Sequence, residues 1–412
     1  MHPRVGLAEG ARAKIQSTPA PPSGGRARAG IAATLTAWLL GACAHGPPPR
    51  RVEMEPMKIE AVRGPAGLQI QAFDAATLFE QAGVDLRADR FAQAAAAYDR
   101  LLREFPSSRY VPSSLYNAGL AYEGLRRYDE AADRYRRFLL AQPDGSDALD
   151  ARFRLGLCYA EAGRWAESEA VFRELLGRSD LSLPDRIEAT ARRGLAELEQ
   201  GLLDAAERTF ADVVTTFRQQ QAAAQLDTDY FVAMAQFYLA HIPHRRFRSL
   251  PVRGPQRQLE QDVEAKAQAF LVAQGRYIET IRLQNPVWAA AAGYQIGMLY
   301  REMYDALLNA PLPEELDTEE KRKIYRDLLQ DRLRVLLERA KRIHQKNIAL
   351  AERLGVEGDW VRRSGEQLEE LERLLGGEGS AGQASQQVSR PPPLPSVRGA
   401  RRPPTGPPPP VL

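Results

Sequence analysis

The stretch SLYNAGLAYEGLRRYDEAADRYRRFLLAQP, residues 114–143, decides the fold of this chain. Small residues at Gly119 and Ala131 alternate with the large side chains of Tyr122 and Tyr135. The small residues allow two helix backbones to approach closely, and the aromatic rings fill the remaining space. A proline cannot continue an α-helix, so Pro143 marks the end of the second helix. The stretch therefore predicts one antiparallel pair of helices.

The same pattern recurs along the middle of the chain. The small residues Ala82, Gly119, Gly156 and Gly194 are separated by 37, 37 and 38 residues. Each predicted pair leaves an apolar side uncovered, and stacking of successive pairs buries it. The period therefore predicts an all-α superhelical solenoid of antiparallel helix pairs, with the most regular repeats over residues 71–218.

This pattern resembles the tetratricopeptide repeat, with its W-x2-L-G-x2-Y, A-x3-F and P spacing. The resemblance implies a binding groove lined by the first helix of each pair. Apolar residues that alternate with Asn and Arg suit an extended or helical peptide. The alternative is that several of these side chains merely pack between neighbouring helices. The residues that the resemblance places in the groove are Phe79, Tyr116, Asn117, Leu120, Phe153, Arg154, Leu157, Arg192 and Leu195.

The repeat pattern weakens after residue 215, which predicts degenerate repeat helices over 219–316. The segment HIPHRRFRSLPVRGP, residues 241–255, contains three prolines and is the expected break. Long C-terminal helices are predicted over 317–375, with one helix over 318–354 because its apolar residues form a single stripe. This helix either caps the solenoid or pairs with another chain as a coiled coil.

The N-terminal segment has the order of a bacterial export signal. Five basic residues precede an apolar run over 29–42, which is shorter than the roughly 20 residues that span a bilayer. The run ends at Leu40-Gly41-Ala42-Cys43, which resembles the lipobox of bacterial lipoproteins. The resemblance implies removal of residues 1–42 and acylation of Cys43. Ala44 is not the aspartate that retains such proteins at the inner membrane, so the outer membrane is implied.

Two flanking segments have the composition of unfolded chain. Residues 43–70 are predicted to be a flexible tether between the membrane and the solenoid. Residues 376–412 are predicted to be a disordered tail, because ten prolines lie among residues 391–412 and large apolar side chains are scarce.

The composition excludes several classes of function. Residues 1–42 hold five of the 56 basic and one of the 53 acidic side chains, which leaves 51 against 52 from Cys43 onward. That balance provides no basic surface for nucleic acid. His241 and His244 flank Pro243, which is expected to end their helix and prevent a metal site. The sequence predicts no enzyme, cofactor, metal or small-molecule substrate.

A closer resemblance comes from EFPSSRYVPSSLYNAGLAYEGLRRYDEAADRY, residues 104–135. It is similar to periplasmic repeat proteins of outer-membrane assembly and the Tol-Pal system, and to the repeat-bearing lipoproteins of myxobacterial gliding motility. These families imply a lipid-anchored scaffold on the periplasmic face of the outer membrane that binds envelope or periplasmic proteins through its groove. The alternative is an assembly factor that handles outer-membrane protein clients.

Overall fold

The computed structural model describes residues 56–64, 67–220, 230–254, 256–355 and 357–376. Thirteen helices follow one antiparallel hairpin in this part of the chain. The all-α solenoid of helix pairs is therefore confirmed, with a hairpin added at its N-terminal end. The first elements are β1 (Met57–Gly64), β2 (Gly67–Asp74), α1 (Ala75–Arg87), α2 (Phe91–Glu104), α3 (Val111–Gly124), α4 (Tyr128–Ala141), α5 (Ala148–Glu161), α6 (Trp165–Leu176), α7 (Leu183–Glu199) and α8 (Leu203–Gln220).

The N-terminal repeats, α1–α8, form four helix pairs in which each helix packs on the next along the chain. The close approach inside a pair occurs where a glycine of the first helix faces an aromatic ring of the second. A β-carbon added at Gly119 would lie 2.6 Å from the Tyr135 ring, and one added at Gly156 would lie 2.7 Å from the ring of Phe172. The expected contact of Gly119 with Ala131 is therefore made by Tyr135 instead.

The C-terminal helices, α9–α13, continue the antiparallel pairing with longer helices. α9 packs on α10 and α11 on α12, while α13 folds back on α12. Their bounds are α9 (Tyr230–Ser249), α10 (Gln256–Arg282), α11 (Pro286–Leu308), α12 (Glu319–Leu354) and α13 (Asp359–Leu375). The helix predicted over 318–354 is confirmed, and Thr318 accepts a hydrogen bond from the Lys321 N–H at its start.

Helix α12 docks on α11 along its C-terminal half. Leu337, Ala340 and Ala351 are buried there, whereas Ile324 and Leu328 near its start are exposed. Of the two alternatives for this helix, the structure shows the intramolecular one, because α11 and α13 together cover the buried stretch.

The break expected within 241–255 is present between Ser249, where α9 ends, and Gln256, where α10 begins, but Pro243 does not end a helix. Helix α9 continues through Pro243 to Ser249. A proline deprives the carbonyl four residues earlier of its helical hydrogen bond. That carbonyl belongs to Leu239, and Arg276 Nη1 of α10 donates to it at 2.9 Å. Arg276 of the neighbouring helix thus supplies the hydrogen bond that the Leu239 carbonyl lacks, and α9 continues past Pro243.

The tether predicted over 43–70 is wrong from Met57 onward, because residues 57–64 and 67–74 pair as the β1–β2 hairpin. The hairpin docks on α2 through its inner face. Lys58 pairs with Glu104, Glu60 pairs with Arg100, and the Phe73 ring lies edge-on to Phe105 at 5.9 Å. Residues 43–55 lie outside the described residues, as do the signal 1–42 and the tail 377–412.

Candidate functional site

The aromatic residues predicted for the groove are buried between helices instead. Tyr116 and Phe153 are fully buried, and Phe79 nearly so. The Tyr116 ring packs against Tyr135 and Phe138 of α4. The prediction is wrong for these three residues as surface contacts, because the ring positions that repeat every 37 residues fill the space inside and between helix pairs.

Asn117, Arg192 and Leu195 are also buried. Asn117 donates to the Tyr98 hydroxyl at 3.2 Å, within the contact of α2 and α3. Arg192 pairs with Glu188 at 2.8 Å, and its guanidinium lies 5.0 Å from the centre of the Phe231 ring. Helix α9 packs on α7 and covers this end of the first-helix surface. The groove prediction is wrong for these residues as well.

Arg154 organises a polar network where α3, α4 and α5 meet. Its guanidinium donates to Asp150 Oδ2 at 2.7 Å and to Glu123 Oε2 at 3.0 Å. The Tyr116 hydroxyl donates to the same Asp150 oxygen at 2.5 Å, and the Tyr135 hydroxyl donates to Glu123 at 2.6 Å. One arginine therefore fixes two carboxylates of successive helix pairs.

Burial and neighbouring charges both change the pKa values of this network, and burial has the largest effect on Glu123. It raises the pKa of the Glu123 carboxyl, and the nearby Arg154 opposes that shift. The pKa of Arg154 is itself raised, because the surrounding acidic and phenolic groups outweigh the effect of its own burial. The arginine is therefore charged at all physiological pH values. Its ion pairs with Asp150 and Glu123 fix the position of α5 relative to α3.

Three predicted groove residues remain partly exposed on the first helices. Leu120 of α3 and Leu157 of α5 are half-buried at equivalent repeat positions. Arg154, also partly exposed, lies one turn before Leu157 on the same helix. Among the described elements, α4 and α6 make the main contacts with α5, which also meets α3 through Arg154, and α3 has a small contact with α1. Leu120, Arg154 and Leu157 are thus the predicted groove residues that stay partly exposed, and we call them the open row.

A concave region lies between α7 and α8, and the sequence analysis does not predict it. Its volume is about 420 Å³. Glu197 is buried there, accepts from the Thr209 hydroxyl at 2.6 Å and pairs with Arg193 at 2.8 Å. The signal in the sequence was the polar Thr190, Glu197 and Thr209 on the faces of α7 and α8 that meet. The buried carboxylate of this region is therefore already paired.

The histidines form a buried hydrogen-bonded cluster. Contrary to the expected helix end at Pro243, His241 and His244 share one face of α9. Their Nδ1 atoms lie 3.3 and 3.0 Å from the Tyr277 hydroxyl, and His244 Nε2 lies 2.9 Å from Glu302. Burial lowers the pKa of both rings. The part of the chain that the structure describes contains no group of three or more metal-ligating side chains placed to hold an ion.

Two further features bear on the predicted site residues. Cys158 is buried as a free thiol whose pKa is raised by desolvation, so it is an inert core residue. Cys43 lies outside the described residues. None of the described helices combines the length and apolarity that a membrane span requires.

Family comparisons identify the repeats. Residues 75–108 and 116–182 each match a family described as tetratricopeptide repeat. A solved tetratricopeptide repeat protein from Parabacteroides merdae is 13% identical, with 72% of this chain and 98% of that chain covered and a TM-score of 0.35. MamA from Desulfovibrio magneticus is 16% identical, with 51% and 97% covered and a TM-score of 0.34. No curated protein matches the chain.

The matched residues lie in α1–α6, so these helices are similar to tetratricopeptide repeats. Repeats of this family mediate protein–protein interaction. The fourth pair, α7 and α8, has the same internal contact as its predecessors, since a β-carbon at Gly194 would lie 2.8 Å from Phe210.

Proposed function

We propose that this protein is a non-enzymatic scaffold that organises a multiprotein complex of the bacterial envelope and is anchored in the outer membrane by a lipid on Cys43. The observation that carries the scaffold is the open row. Leu120 and Leu157 present apolar surface at equivalent positions of two pairs, and the fixed charge of Arg154 lies beside them.

The open row suits an extended or helical segment of a partner protein. Half-buried leucines supply apolar area, and a fixed guanidinium can pair with a carboxylate of the partner to set its register. Because Arg154 is already held by Asp150 and Glu123, it loses little freedom on binding. A gliding-motility complex is the assembly that we propose first, from the resemblance of the repeats and the lipobox.

The anchor is tested by mass spectrometry of the protein isolated from membranes. We expect residues 1–42 to be absent and Cys43 to be acylated. The Cys43→Ser variant is expected to leave the membrane fraction with its repeats still folded. An intact chain with an unmodified Cys43 in membranes would refute the anchor.

The scaffold is tested by gentle pull-down after crosslinking in intact envelopes. We expect one stoichiometric partner, and at least tenfold weaker capture by the Leu120→Ser, Leu157→Ser variant, since each hot-spot side chain contributes about 2 kcal/mol. The matched control is Leu140→Ser with Leu202→Ser, which removes two exposed leucines elsewhere on the repeats. A broad spread of client segments in place of one partner would favour the assembly factor.

A further inference from the structure

The β1–β2 hairpin has one face that nothing in the described structure covers. Side chains of a strand alternate between the two faces of a sheet, and the pairing of Ile59 with Ala72 and of Ala61 with Ile70 sets these residues on one face. Met57, Ile59, Leu68 and Ile70 on this outer face are 64%, 69%, 72% and 77% exposed. The inner face, by contrast, docks on α2 through its charged pairs and Phe73.

The outer face is mainly apolar, with a positive charge at the hairpin tip and a carboxylate at the opposite end. Arg63 is exposed opposite Leu68 near the tip, whereas Asp74, opposite Met57, accepts from the Thr77 N–H at the start of α1. The acidic Glu60 lies on the inner face and is paired with Arg100. An apolar face with a cationic tip is complementary to an anionic lipid surface.

The position of the hairpin in the chain points to the same occupant. Met57 follows Cys43 by 14 residues, so the linking chain spans at most about 50 Å when fully extended. The hairpin is therefore the first described element after the cysteine that we propose to be acylated. Lipid anchors are commonly reinforced by a second membrane contact.

The area of the outer face argues against a second copy of the chain as occupant. A strand of eight residues is about 27 Å long and a two-stranded sheet about 10 Å wide. The face therefore offers roughly 300 Å², well below the about 800 Å² per partner of a stable interface. Binding to a lipid surface does not require a buried area of about 800 Å², because the bilayer is stable without the protein.

We propose that the outer face of the β1–β2 hairpin, with Met57, Ile59, Leu68 and Ile70 at its centre, is a membrane contact that lies in the headgroup region of an anionic bilayer. This inference rests on the membrane location in the proposed function. It adds a second, non-covalent contact, which orients the first repeat pair at the membrane surface.

The test measures vesicle binding without the lipid anchor. The protein is residues 43–412 with Cys43→Ser, which keeps the whole compact unit Glu55–Leu412 and lacks both acyl chain and signal. The probe is vesicles of phosphatidylethanolamine with phosphatidylglycerol, in a flotation assay. We expect binding that falls at least about tenfold in the Ile59→Ser, Ile70→Ser variant, because transfer free energy scales with apolar area.

The matched control for this assay is again Leu140→Ser with Leu202→Ser, which is expected to bind vesicles like the parent. Thermal melts of both variants are expected to match the parent, since all four side chains are exposed. In a second measurement, a tryptophan at Ile70→Trp is expected to be quenched by brominated phospholipid, and one at Leu140→Trp is not.

Three results would overturn the inference: no vesicle binding by the parent, equal binding by the hairpin variant, or a concentration-dependent dimer that the hairpin variant abolishes. The last would assign the face to a second copy. The lipid anchor has a separate readout, the mass of Cys43. An acylated Cys43 without vesicle binding overturns the hairpin contact alone, and an unmodified Cys43 with vesicle binding overturns the anchor alone.

Discussion

The N-terminal repeats and the C-terminal helices both use glycine to bring two helices close, but they fill the space above it differently. Over Gly119, Gly156 and Gly194 lies an aromatic ring. Over Gly293 and Gly297 of α11 lie the polar side chains of α12, where an added β-carbon would meet Asn347 at 2.2 Å and His344 at 2.3 Å.

This difference sets what each region needs in order to be stable. An aromatic ring on a glycine is stabilised by apolar burial and dispersion alone. A buried polar side chain needs hydrogen-bond partners. Asn347 has them, since it donates to the Ala290 carbonyl and the Ser364 hydroxyl, both at 2.9 Å. Neither ring nitrogen of His344 has a hydrogen-bond partner among the described residues. A buried histidine without partners resists protonation, so we expect the acid-sensitive part of the core to lie in the C-terminal helices.

The largest effect is expected inside the N-terminal repeats, from Tyr116→Ala with Phe153→Ala. Each substitution empties a fully buried site and is expected to cost about 3 to 5 kcal/mol. Tyr116→Ala also leaves Asp150 without one donor. Circular dichroism melts measure the loss, with the Leu140→Ser, Leu202→Ser variant as control because both leucines are exposed. A double mutant that melts like the parent but loses its partner would restore the original groove prediction.

Acid is expected to loosen the C-terminal helices before the repeats. Burial lowers the pKa of His344 to about 4 from an ordinary value of 6.5, and it lowers the pKa of His241 and His244. The unfolded chain thus binds more protons below pH 6.5, and stability falls as the pH drops from about 6.5 toward 4. For His344 the full loss is about 3 kcal/mol. Glu302, whose pKa is lowered to about 2, stays charged over this window.

Hydrogen exchange by mass spectrometry at pH 7 and pH 5 measures this difference, with rates corrected for the intrinsic effect of pH. We expect protection to drop in α9, α11 and α12 and to persist in α3–α6. Loss of protection first in the N-terminal repeats would contradict the assignment of the acid-sensitive core.

A smaller effect separates the two polar side chains above the α11 glycines. Asn347→Leu removes the hydrogen bonds to the Ala290 carbonyl and the buried Ser364 hydroxyl and is expected to cost about 1 to 3 kcal/mol. His344→Leu removes a polar ring without partners, so its effect is expected to be near zero or stabilising, and stability is expected to depend less on pH. Denaturant unfolding at pH 7 and pH 5 gives both values. Equal destabilisation by the two substitutions would show that His344 has a partner.

The smallest effect concerns helix caps. Ser182 accepts from the Asp185 N–H at 3.2 Å at the start of α7, and Thr318 caps α12 in the same way. Each alanine substitution is expected to cost about 1 kcal/mol of helix stability. In α7 this is expected to lower the melting temperature, because the helix is packed along its length. In α12 it is expected to increase exchange only over 319–332, where the helix is largely exposed. A lowered global melting temperature for Thr318→Ala would indicate that this segment is packed.

The sequence predicted the repeats because their determinants are local. The spacing of Gly119 and Tyr135 encodes a helix pair within 17 residues, and the same spacing recurs. The exposure of a first-helix residue is not local. Arg192 is buried because Phe231 of α9 covers it, which no pattern inside the repeat reveals. The periodicity is also ambiguous at Tyr116 and Phe153, since a ring on a first helix can face either a groove or the next pair.

Two errors came from reading single residues without their partners. Pro243 was expected to end a helix, yet Arg276 of the next helix satisfies the freed carbonyl of Leu239. Composition alone predicts a tether over 43–70, whereas MKIEAVRG and GLQIQAFD have the alternating pattern of strands around a Gly-Pro turn signal. The alternation is the sequence signal that indicates the hairpin.

The measurement that tests the central claim most directly is site-specific photocrosslinking in intact envelopes, with the crosslinker at Leu157 in the open row or at Leu140, which is 79% exposed on α4. The account predicts one discrete crosslinked protein from position 157 and none of that mass from position 140. The same band from both positions, or a smear of many proteins from position 157, would contradict a scaffold that holds a defined partner on the open row.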